Sequence, residues 1–249
     1  MFNLREALLL GSFLLGGSAH AAEVKPARAP VVLELFSSEG CSSCPAADEV
    51  LAQLDAAGEV SGTPVLALEL HVDYWDYLGW RDPFSSAELT ARQERYARWL
   101  GRRIYTPQLV IDGQAEVIGS SRGQAVAAIQ AAAQHPSPAG VKLQQKGGEL
   151  AVQIAGLAKF PGATVLLAIT ERGLSTKVLR GENSGQTLRH SPVVRALRQL
   201  GVAAGDSYTA QVPLHLLADW KPEALRAVVL VQATTGPILG AAVLPLGKN

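Results

Sequence analysis

Two cysteines stand three apart in this chain, as Cys41-Ser42-Ser43-Cys44, and the chain has no others. The apolar run Val31–Phe36 precedes them, and an alanine-rich, helix-favouring segment opening with Pro45 follows. A C-x-x-C pair where a strand gives way to a helix constrains fold and chemistry together. Residues at i and i+3 near a helix start share a face, close enough for their sulfurs to bond. Free N–H groups at a helix N-terminus favour negative charge. The Cys41 sulfur should therefore ionise more readily than a free thiol, and the thiolate is the nucleophile. Cys44, one turn inside, can resolve a mixed disulfide formed on Cys41. Pro45 lacks an N–H and is tolerated in a first helical turn.

Two other uses of the pair stay open. One is a structural disulfide, although a bridge closing so short a loop restricts the unfolded chain little. The other is a soft-metal site, although one C-x-x-C supplies two thiolates where closed zinc sites want four ligands.

The 249 residues suit one large domain or two small ones, and a 48% hydrophobic, 18% charged composition excludes a disordered chain. The net charge of zero hides an asymmetry: residues 1–135 carry −6 and residues 136–249 carry +6. Either the two halves attract, or each charge solubilises its own surface. No dense basic face points to nucleic acid. At the N-terminus, Arg5, the apolar run Ala7–Gly17 and the small-x-small triplet Ala19-His20-Ala21 read as a secretory signal cleaved after Ala21 or one residue later. The run is too short to span a bilayer. The mature chain is thus expected to be periplasmic or secreted and not membrane-spanning, in a compartment that permits disulfides.

Along the chain, Val31–Phe36 reads as a buried strand, Cys44–Ala57 as a helix stopped by Gly58, and Val65–Val72 as a second strand, which makes a βαβ unit. His71–Phe84 follows, dense in aromatics. Tyr74 and Trp75 are candidate substrate-binding residues beside the thiols, whereas Trp80 and Phe84 read as seam packing. Ser85-x-x-Glu88 is a capping-box match for a helix reaching about Leu100, with Glu88/Arg92 and Glu94/Arg98 as surface i,i+4 pairs. Pro107 precedes a hairpin that turns at Asp112-Gly113. A helix over Arg122–Gln134 closes the first domain (22–135), and 136–140 is a linker by composition. Residues 141–249 show short alternating runs separated by Gly and Pro, the pattern of an all-β sandwich, with a helical turn near Leu214–Trp220. His190 and His215 read as isolated surface or packing histidines.

The first half resembles the thioredoxin superfamily in three features: the strand before Cys41–Cys44, the helix after it, and Thr106-Pro107 before the next strand. That resemblance implies a cis Pro107 against the disulfide, with Thr106 pairing to a substrate chain. It also implies a buried acid that helps proton transfer to Cys44, for which Glu34 is the candidate. More narrowly, Leu33–Pro45, His71–Phe84, Tyr105–Gly113 and Gly181–Gly185 are similar to a bacterial family of secreted thioredoxin-like proteins designated only as domain of unknown function 1223.

The sequence therefore predicts an α/β thioredoxin-like domain followed by an all-β sandwich-like domain at 141–249. The predicted function is that of an exported thiol–disulfide oxidoreductase using Cys41, Cys44, Pro107 and Glu34, with Thr106, Tyr74 and Trp75 at the substrate. No cofactor is expected, and no residue is assigned to a metal. Its expected partners are a protein or small thiol/disulfide substrate and a redox partner protein in the envelope. The alternatives are a Cu(I)-handling protein that adds His71 to the two thiolates and a non-catalytic binding module.

Overall fold

The computed structural model describes residues 29–135, 137–190 and 192–247; the predicted signal peptide, residues 1–21, lies outside them. In chain order the elements are β1 (Val31–Ser37), α1 (Pro45–Ala57), β2 (Glu59–Val60), β3 (Thr63–His71), α2 (Ala87–Leu100), β4 (Gln108–Ile111), β5 (Ala115–Ile118) and α3 (Arg122–Ala132). There follow β6 (Gly140–Lys146), β7 (Glu149–Ala155), β8 (Thr164–Glu171), β9 (Leu174–Lys177), β10 (Thr187–His190), β11 (Val193–Val202), β12 (Ser207–Pro213), β13 (Leu225–Gln232) and β14 (Ile238–Pro245).

Local sequence explains most of these boundaries. Alpha-1 ends where Gly58 takes a left-handed conformation (φ 69°) and closes the last turn onto the Leu54 carbonyl. Alpha-2 starts one residue later than the capping box suggests: Ser86, not Ser85, accepts from the Leu89 N–H. No helical turn forms at 214–220; a short 3₁₀ turn stands at Pro222–Ala224 instead.

The predicted fold class is overturned. The described residues are mostly strand, with fourteen strands against three α-helices, and one mixed nine-stranded sheet takes strands from both halves. Its order is β14-β13-β8-β11-β3-β1-β4-β5, with β2 hairpinned onto β3. Beta-1 and β3 run parallel, from Val31↔Val65 to Ser37↔His71, while β1–β4 and β4–β5 are antiparallel. The join is β11 against β3, where Val193 stands opposite Glu69. The pairing is confined to this point, with the Glu69 N–H donating to the Pro192 carbonyl at 2.9 Å, and the physical reason for the join is burial of one apolar layer shared by both halves. Periodicity in a sequence reveals strands, but not partners more than a hundred residues away.

Side-chain alternation divides the core into layers. On one face of the sheet, Leu33, Leu35 and Leu109 pack under α1 and α3 with Leu51, Leu54 and Ile129. On the other, Val32, Phe36, Leu68 and Val110 join Leu89 and Tyr96 of α2 and continue into Leu166, Val194 and Leu230 of the second half. A separate three-stranded sheet, β12-β7-β6, packs Leu150, Val152 and Ile154 over Val165, Leu167 and Val229. No helix among the described residues is long and apolar enough to cross a membrane.

Candidate functional site

Cys41 and Cys44 form a disulfide, with Cα atoms 5.4 Å apart. Cys44 is the N-cap of α1, and its carbonyl accepts from the Ala47 and Asp48 N–H groups at 2.8 and 3.0 Å. The bridge thus sits at the positive end of a thirteen-residue helix, where a thiolate released on reduction would be stabilised. Ser42 and Ser43 are exposed, but Cys41 itself is only 1% exposed.

Three segments hold that loop. Gly40 lies so close to Trp75 that a Cβ at Gly40 would meet the Trp75 Cβ at 2.9 Å, which explains a glycine there. The Trp75 indole N–H donates to Thr106 Oγ1 at 2.8 Å, tying the aromatic wall to the residue before Pro107. The Thr106–Pro107 bond is cis. Pro107 is close to the first turn of α1: a Cβ at Gly119 would lie 3.0 Å from Ala47 Cβ and 3.4 Å from Pro107 Cβ. Tyr74 turns toward α2 instead, donating to Gln93 at 3.2 Å. The third segment comes from the second half of the chain. Buried Asn183 donates to the Glu39 and Cys41 carbonyls at 2.9 and 3.0 Å, and Glu182 accepts from the Ser42 N–H at 3.0 Å.

Glu34 lies on the other side of the sheet from α1. Its neighbours Leu33 and Leu35 face α1, so alternation sends Glu34 to α2. There it pairs with buried Arg92 at 2.5 and 2.9 Å and accepts from the Tyr96 hydroxyl. Arg92 is not half of a surface pair with Glu88. It is 1% exposed and also reaches Gln232 of β13 at 3.2 Å.

The buried acids on the disulfide's side are different residues. Asp48, four after Cys44 on α1, accepts from Ser37 Oγ at 2.5 Å. Behind it, His71 is bracketed by Asp82 at Nδ1 (2.6 Å) and Glu69 at Nε2 (3.0 Å). His190 is bracketed by Glu69 at Nδ1 (2.8 Å) and Glu39 at Nε2 (3.2 Å). The two rings meet edge to face at 4.8 Å, and Phe84 sits edge-on to both. Trp80 donates its indole N–H to Glu39 at 2.7 Å, and the Glu39 N–H donates to Asp82 at 2.8 Å. All six ionisable residues are buried.

Charge and burial compete in this cluster. Burial works against a charged His71, but the Asp82 carboxylate, then Glu69, outweighs it and holds the imidazolium well above its usual pKa. His190 is likewise carried up to about 9 against burial by Glu39 and Glu69. Burial works against ionised Glu69, yet its two histidine partners bring it down to about 2. Asp48 goes the other way: burial first, then repulsion from Glu69, raises it to about 7.

Sequence reasoning missed Glu39, Asp48, Glu69, Asp82, Asn183 and His190, and read His190 as isolated. One signal was available, because Asp48 lies one turn after Cys44 on the same helix face. His71, which the copper alternative adds to the thiolates, is bonded to Asp82 and Glu69 instead.

A family model described as "Protein of unknown function (DUF1223)" matches residues 32–232. An Agrobacterium tumefaciens protein solved by X-ray crystallography is 32% identical over 88% of this chain and 95% of its own, with a TM-score of 0.72. HBP35 of Porphyromonas gingivalis is 15% identical over 88% of this chain and 76% of its own, with a TM-score of 0.63, a likeness of fold alone. No curated protein matches the chain.

Proposed function

The chain belongs to the DUF1223 family, and we propose that its chemistry is thiol–disulfide exchange at Cys41 and Cys44. The observation that carries this reading is the bridge itself, closed between residues three apart at the N-terminus of α1. A bridge of that span adds little to stability, whereas the helix terminus lowers the cost of releasing a thiolate.

In the oxidising direction a partner thiolate attacks Cys41 Sγ. The Cys41–Cys44 bond breaks, and its electron pair leaves on Cys44, which takes a proton. A second partner thiolate then attacks the partner's own sulfur in the mixed disulfide. Cys41 departs as a thiolate, the partner has lost two electrons, and the pair has gained them. In the reducing direction the same steps run backwards. Trp75 and Thr106 border the cysteine loop, and the 181–185 loop lies over it; these are the parts a docking partner displaces or contacts. The setting we propose is outside the cytoplasm after removal of residues 1–21, with a protein or small thiol/disulfide substrate and an envelope redox partner.

The test is disulfide transfer to a dithiol peptide. Cys41→Ser should abolish it, and Cys44→Ser, offered a disulfide-bonded peptide in place of the dithiol, should accumulate a mixed disulfide on Cys41. A Cys41→Ser protein that transfers at the wild-type rate would reject the proposal. So would a reduction potential below about −300 mV, the range of structural bridges rather than exchange proteins.

A further inference from the structure

The Glu69–His71–His190 cluster offers more than a set of ion pairs. The inner nitrogens, His71 Nε2 and His190 Nδ1, both face Glu69 Oε1, at 3.0 and 2.8 Å. One ligand atom from each of the three residues lies within 4.8 Å of the others. Asp48 Oδ2 stands 3.9 Å from His190 Nδ1 and closes the group from α1. We propose that Glu69, His71 and His190, with Asp48 as the fourth ligand, bind a divalent transition-metal ion of the zinc class.

Three features favour a built site. The first is the outer shell. A metal-binding histidine almost always has its far nitrogen fixed by a carboxylate, a backbone carbonyl or water. Here His71 Nδ1 meets Asp82 at 2.6 Å, and His190 Nε2 meets Glu39 at 3.2 Å. Those carboxylates are themselves held, Asp82 by the Glu39 and Phe84 N–H groups and Glu39 by the Trp80 indole.

The second is charge. Four carboxylates surround two imidazoles, each imidazole nitrogen faces a carboxylate oxygen, and an ionised carboxylate only accepts. The inner nitrogens and the Glu69 carboxylate thus converge as a set of ligating atoms around which a cation is compensated by the surrounding carboxylates.

The third is ligand type and size. Two imidazoles and two carboxylates suit tetrahedral zinc, with bonds of about 2.0–2.2 Å. Such bonds put ligand atoms about 3.4 Å apart, against at most 4.8 Å among Glu69, His71 and His190 and 3.9 Å between His190 and Asp48. Phe84 packs against both rings at centroid distances of 5.4 and 5.6 Å. No sulfur takes part, so this site stands independently of thiol exchange.

Because the ligands are fully buried, the ion is supplied during folding. The full chain is stripped with chelator in denaturant and refolded with one equivalent of Co²⁺ or Zn²⁺. Metal content is read after gel filtration, and Co²⁺ geometry from its visible absorption. The expected result is one ion per chain, a tetrahedral Co²⁺ spectrum, and proton release on binding. His190→Gln should lose the ion, while the Cys41→Ser/Cys44→Ser protein should keep it. Should His190→Gln fail to fold, the outer-shell variant Asp82→Asn decides, with affinity expected to fall about 10–100-fold. Refolded wild-type protein without metal would overturn the proposal and leave a doubly protonated histidine network. Undiminished binding by a folded His190→Gln or Asp82→Asn protein, or loss of binding with the cysteines, would overturn it equally.

Discussion

Replacing Arg92 with Met tests how the two halves of the chain are tied together. As a helix-surface partner of Glu88, Arg92 would contribute about 0.3–0.5 kcal/mol. The structure places it instead in the core, 1% exposed, with two bonds to Glu34 and one each to Tyr96 and Gln232. Methionine keeps much of the aliphatic volume but leaves the Glu34 carboxylate buried without its cation. Removing one partner of a buried pair costs about 3–5 kcal/mol, roughly ten times the surface figure. In urea unfolding, with a slope of about 2–3 kcal/mol per molar, the midpoint should fall by about 1–2 M. A Glu34→Gln/Arg92→Met double variant should recover part of that loss, because the stranded charge is gone. A single-variant loss below about 1 kcal/mol, or no recovery in the double variant, would refute the reasoning. Glu34→Gln should leave the pH profile of the proposed thiol exchange in place, since Glu34 lies across the sheet from α1; a shifted profile would mark it as the proton donor.

Reducing the disulfide should cost the fold no more than about 2 kcal/mol, the loop-entropy figure for a four-residue ring. Thermal melts with and without reductant check this, and a loss of 4 kcal/mol or more would mark a structural bridge. Asp112 gives a pH prediction. Burial, with a contribution from Glu34, lifts its pKa to about 6 despite the Val32 N–H that it accepts at 2.7 Å. Its folded pKa exceeds the unfolded value, so the native state binds more protons between about pH 4 and 6, and stability falls as pH rises through that window, by up to about 3 kcal/mol. Asp112→Asn keeps the acceptor and tolerates the positive φ of 48°. Its urea stability should lose that slope and match or exceed the wild type at pH 7.5; identical slopes in the two proteins would sink the assignment.

Much of the local structure was legible in the residues. The helix after Cys44, its stop at Gly58, the parallel pair 31–37 and 63–71, and the hairpin turning at Asp112-Gly113 follow from apolar periodicity, helix-end chemistry and turn residues. The strands Leu174–Lys177 and Thr187–His190 were not read, since each is four residues long with little apolar signal.

What the sequence determined by itself was therefore the cysteine pair and the elements that present it, because C-x-x-C spacing and helix-start geometry are fixed within a few residues. The tertiary structure alone decided which acids stand with the disulfide. Strand alternation turned Glu34 toward Arg92, and Glu69 and His71 toward the side where Asp48 stands on α1. It also decided the company of His190. That residue reads as isolated until β11 pairs with β3 and brings the end of β10 against Glu69. A pairing between residues more than a hundred positions apart has no local signature. It forms because Val32, Phe36 and Leu68 bury their apolar surface with Leu166, Val194 and Leu230, and only the folded chain brings those strands together.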